Sequence, residues 1–80
     1  MERAKVWPAD GPMEVREPAH GRKTFSLEEL QATVGGYIEL VPQSKPFAYC
    51  NDYGLLDNLP INFAASAALG YPMLRGTVIQ

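Results

Sequence analysis

The sequence predicts an α+β domain: a mainly antiparallel sheet of about five strands, one capped helix packed on it, and a second short helix. Three observations carry that prediction. Several short segments alternate polar and apolar residues with the period of a strand. The segment Ser26-Leu27-Glu28-Glu29 has the pattern of a helix start, and Gly35 follows directly on the end of the apolar stripe at Val34. Clusters of Pro, Gly, Asn and Asp separate the segments at short intervals.

In chain order, Glu2 to Trp7 alternates, with Ala4 and Val6 on one face and Lys5 and Trp7 on the other. Pro8-Ala9-Asp10-Gly11-Pro12 is a dense turn signal, and Met13 to Glu17 alternates again, so the opening reads as a β-hairpin. Pro12 and Pro18 bracket the second strand and place it at a sheet edge, where missing amide donors matter least. In the capping box, the Ser26 hydroxyl accepts from the Glu29 amide while the Glu29 carboxylate reaches back. Phe25 and Leu30 sit where a hydrophobic staple would close, and Leu27, Leu30 and Val34 share one helical face. Gly35 supplies the left-handed stop, with Gly36 as a close-packing turn behind it. A helix this short is unstable alone, so its stripe must dock on the sheet.

Tyr37 to Val41 is the strongest strand, ended by Pro42, and Phe47 to Asn51 forms the next. Asn51-Asp52-Tyr53-Gly54 reads as a turn with Gly54 free to take positive φ, and Leu55 and Leu56 return as a short strand. Asn62 caps a helix from Phe63 to Leu69, which Gly70 ends. Gly76 to Gln80 is a final strand with an open edge, so a homodimer through that edge is expected.

Residues 1–80 read as a single domain, with no internal repeat or linker. Hydrophobic residues make up 46% and charged residues 20%, which suffices for a core and excludes a disordered tail. A net charge of −2 argues against general nucleic-acid binding, which needs clustered Lys and Arg. The single cysteine, Cys50, allows no intrachain disulfide, and no stretch has the length of a signal core or a membrane span. These features point to the cytoplasm.

The candidate chemistries thin out quickly. Cys50 and His20 are the sole nucleophile–base pair of that kind, but Cys50 lies in an apolar strand, where a free cysteine acts as a small hydrophobe. Scattered carboxylates, one His and one Cys lack the spacing of a metal site, so neither metal nor cofactor is expected. Gly35-Gly36 follows its helix, at the negative end, and so cannot cradle a phosphate. Arg22 and Lys23, just ahead of the capped helix, are the better anion site, although a solvated basic loop is the commoner use of such residues. Trp7 and Tyr53 are the aromatics hardest to bury, hence candidate contact residues. Asn51, Asp52, Tyr53, Asn58 and Asn62 concentrate polar groups beside apolar ones and form a candidate partner- or ligand-binding stretch, each with an alternative local job as turn or cap residue.

Three segments together carry a resemblance: Leu27 to Gln31 running into Val34-Gly35-Gly36-Tyr37-Ile38-Glu39, then Cys50 to Leu56 followed by Asn58 to Asn62, and finally Arg75 to Ile79. In this order and spacing the chain resembles a family of small phage, prophage and plasmid proteins catalogued only as a domain of unknown function. That resemblance implies a mobile-element origin and transfers no catalytic residue. With the small size and the lack of a catalytic constellation, it leads to the expectation of a non-enzymatic accessory protein that binds a host protein and modulates it. The alternative is a small-ligand binder that sequesters a nucleotide signal of host antiviral defence through the basic loop.

Overall fold

A computed structural model describes residues 3–53 and 57–80 of the chain. The expected turn at Gly54 and return strand at Leu55 and Leu56 lie outside the described residues, as does Glu2. The fold is α+β. Five antiparallel strands, β1 (Ala4–Trp7), β2 (Glu14–Arg16), β3 (Ile38–Leu40), β4 (Tyr49–Asn51) and β5 (Val78–Ile79), form one sheet in the order β2-β1-β5-β4-β3. Among the described residues, two α-helices, α1 (Leu27–Val34) and α2 (Phe63–Leu69), and a 3-10 turn at Ala19–Gly21 complete it.

Alternation along the strands sends side chains to opposite faces, and both faces of the central strands are covered. On one face Ala4, Val6 and Ile79 pack with Val34 of α1, joined by Phe25, Leu30, Ile38 and Tyr49. On the other, Trp7, Val78, Cys50, Ala48 and Val41 pack with Ala65 of α2 and with Leu74, and Leu69 lies against them. The adjacent Val78 and Ile79 therefore anchor different cores, and both are fully buried.

Helix α1 forms as its sequence predicts. Ser26 Oγ accepts from the Glu29 amide at 3.1 Å, and Glu29 Oε1 accepts from the Ser26 amide at 3.1 Å. Gly35 is left-handed at φ 82°, and the amides of Gly35 and Gly36 both donate to the Gln31 carbonyl. The expected three-residue stripe narrows to Leu30 and Val34, because Leu27, in the first turn, is exposed and outside the core. Gly36 packs as a close-approach turn: a Cβ there would lie 2.9 Å from Asn51 Nδ2.

Two expectations need correction. Trp7 is not a surface residue, since α2 and the segment leading to β5 cover the face on which it projects. The final strand is not an edge, because β5 is hydrogen-bonded between β1 and β4, so the open edge on which the homodimer was expected does not exist there. The sheet's edges are β2, as its flanking prolines foretell, and β3.

Candidate functional site

The polar stretch singled out in the sequence divides into buried and exposed residues. Asn62 is wholly buried and every polar atom of its side chain is used. Its Nδ2 donates to the Trp7 carbonyl at 2.7 Å and to the Gly76 carbonyl at 2.8 Å, while Oδ1 accepts from the Ala65 amide at 3.0 Å. Its backbone amide donates to the Leu74 carbonyl, and its carbonyl accepts from the Ser66 amide and hydroxyl. One amide thus ties β1, the segment before β5 and the start of α2 together, and both of its N–H donors are spent within the fold.

Asn51 is buried as well. It donates from Nδ2 to the Val34 carbonyl at the end of α1 and accepts the Tyr53 amide on Oδ1 at 2.8 Å, an Asx turn leaving β4. Asn58 is exposed in a left-handed turn conformation at φ 53°. Asp52 and Tyr53 are exposed.

The basic loop already holds an anion, and it is the protein's own. Glu29 accepts from the Ala19 amide at 2.7 Å and from the Ser26 amide, and Arg22 lies 3.5 Å from the same carboxylate. These donors, led by the Ala19 amide, hold the Glu29 carboxyl below its usual range. Arg22 is therefore committed in part to Glu29, whereas Lys23 stands exposed beside it.

What the structure does bring together is a group at the β3 edge. Tyr37 stands across from Asp52, whose amide donates to the Tyr37 carbonyl at 2.8 Å, and the Tyr37 and Tyr53 rings meet edge to face with centroids 6.4 Å apart. Glu39 pairs across the strands with Cys50 on the same face. A hydrogen bond with the Asp52 side chain, then partial burial and the neighbouring negative charge, push the Glu39 carboxyl up. Cys50 is pushed up to about 11 by burial first and by the Glu39 and Asp52 charges after it, so its thiol stays protonated at neutral pH and is a poor nucleophile. Among the described residues no group of three His, Cys, Asp or Glu side chains converges as metal ligands would.

The second exposed feature is the outer face of α2. Phe63 is 76% exposed, Ala64, Ala67 and Ala68 lie on the same side, and the helix carries no charged residue. Sequence reasoning named the helix but not this face. Its signal was legible: positions 62, 65, 66 and 69 face inward, which leaves 63, 64, 67 and 68 outward and uniformly apolar.

The sequence model of the family described as Domain of unknown function (DUF3846) matches residues 4–80. No curated protein and no solved structure matches the chain. With nearly its whole length matched, the chain belongs to that family.

Proposed function

We propose that this member of the DUF3846 family is a non-enzymatic binding protein that docks on another protein through the outer face of α2. One observation carries the reading: a seven-residue helix without a single charge holds Phe63 three-quarters exposed among alanines. A face of that kind gains nothing from water and matches an apolar groove on a partner. The raised Cys50 thiol and the amide valences spent inside the fold support binding over catalysis. No described helix is long and apolar enough to cross a membrane. The reading extends to a phage or mobile-element accessory protein acting on a host protein in the cytoplasm, on the strength of the sequence resemblance. The nucleotide-sequestering alternative has less support, because Glu29 occupies the donors that a phosphate would need.

The test is affinity capture from host lysate by the wild-type protein and by Phe63→Asp. An aspartate at the first helical position is compatible with the helix dipole, so the variant's stability is expected within about 0.5 kcal/mol of wild type. A specific partner that Phe63→Asp no longer captures supports the reading. Capture of nothing specific, or capture indifferent to Phe63→Asp, refutes it.

A further inference from the structure

The outer edge of β3 carries a recognition surface of its own. The hydrogen bonds from the Asp52 amide to the Tyr37 carbonyl and from the Val41 amide to the Ala48 carbonyl fix which β3 groups face β4. With Ile38 opposite Asn51 and Leu40 opposite Tyr49, the closely bonded pairs are those of Tyr37, Glu39 and Val41. The amides and carbonyls of Ile38 and Leu40 therefore point away from the sheet, and among the described residues no strand pairs with them. The opposite edge, β2, is blunted by Pro12 and Pro18 and by its own Glu14–Arg16 ion pair. The β3 edge is flanked by a proline at one end alone, Pro42, and Tyr37 and Leu40 stand exposed along it.

The two faces of that edge differ in chemistry. Ile38 and Leu40 project on the α1 side, and Glu39 with Tyr37 and Asp52 on the other. We propose that β3 accepts, as a sixth strand, an extended segment of another protein that alternates apolar residues with lysine or arginine. The backbone groups of Ile38 and Leu40 supply the ladder, the apolar side chains continue the Ile38–Leu40 face, and the cations meet Glu39, Asp52 and the two tyrosine rings. A second copy of this chain fits poorly: antiparallel self-pairing about Glu39 sets that carboxylate against its own copy, with Asp52 adding to the repulsion. This surface shares no residue with the outer face of α2 and is recognised by different chemistry, so the two readings fail separately.

The probe is a blocked peptide of about ten residues alternating valine with lysine, compared with one carrying glutamate for lysine. Binding is read by titration and by hydrogen exchange at the Ile38 and Leu40 amides. The lysine peptide is expected to bind about tenfold more tightly than the glutamate peptide and to slow exchange at those two amides. Leu40→Pro removes one outward donor while leaving the β3–β4 ladder intact, and is expected to abolish binding. Glu39→Lys, which leaves the backbone untouched, is expected to reverse the peptide preference. Phe63→Asp is expected to bind the lysine peptide as the wild type does. Equal binding of both peptides, no binding of either, or full binding by a folded Leu40→Pro overturns the proposal. So does a homodimer in solution that Leu40→Pro dissolves, which would make a second copy the occupant.

Discussion

Replacing Asn62 by alanine removes a side chain whose three hydrogen bonds all end on buried backbone groups: the Trp7 carbonyl, the Gly76 carbonyl and the Ala65 amide. Alanine removes all three bonds at a site closed to water: the Ala65 amide loses its cap, and each carbonyl loses a donor, the Trp7 carbonyl keeping only its ladder partner across from Val78. The uncapped amide costs about 1–3 kcal/mol and each lost carbonyl bond about 0.5–1.5 kcal/mol, so the total is about 2–5 kcal/mol after partial relaxation. A domain of this size has roughly 4–12 kcal/mol to lose, so the variant stands near its unfolding threshold at room temperature. Denaturant titration followed by the fluorescence of Trp7, the single tryptophan, reports directly, because Asn62 bonds to that residue's carbonyl. The expected result is a large fall in midpoint. Asn62→Asp keeps the oxygen that caps α2 but sets its second oxygen against two carbonyls, and is expected to be no more stable than Asn62→Ala. A loss below about 1 kcal/mol for alanine, or a full rescue by aspartate, would refute the argument that one amide joins these segments.

Two pH dependences follow from the shifted groups. Cys50 binds its proton more tightly in the folded state, so between its ordinary value of 9.0 and about 11 the unfolded chain releases a proton that the folded one keeps. Stability is expected to fall with rising pH across that window, and Cys50→Ala should flatten the slope in denaturant titrations. Glu29 is shifted the other way: its contribution is present above the ordinary carboxyl value of 4.5 and is lost as pH falls through the lowered folded value. Glu29→Gln is expected to lower stability at neutral pH and to weaken the acid-induced loss, measured by the same titration from pH 7 downward.

How much was legible follows from how local each signal is. The capping box at Ser26 and Glu29 and the Gly35 stop are made within a few residues of chain, and both form as the sequence reads. The same holds for the edge position of β2, which needs only its two prolines. Trp7 was misread because its burial depends on α2, which is distant in sequence and covers the second face of β1. The central place of β5 is equally non-local: nothing in Val78-Ile79 specifies β1 and β4 as its neighbours. Asn51 and Asn62 show a different limit. An asparagine that caps a helix inside the fold and one that greets a ligand have the same local sequence, and only the partners of the amide tell them apart.

That distinction redraws the candidate site. Removing Trp7, Asn51 and Asn62 to the interior leaves Asp52, Tyr53 and Asn58 as the exposed members of the stretch, and the fold supplies Asp52 and Tyr53 with companions in Tyr37 and Glu39. Tyr37 and Glu39 gain significance only because β3 is an edge, and β3 is an edge only because β5 fills the centre between β1 and β4. The position of the final strand thus moves the open backbone away from β5 itself and onto β3, beside two carboxylates and two tyrosines. A sheet ordered by chain sequence would have placed the exposed ladder against Val78 and Ile79, where an apolar strand would favour self-association. The observed order presents an acidic edge instead, and an acidic edge selects a basic strand from another molecule over its own copy.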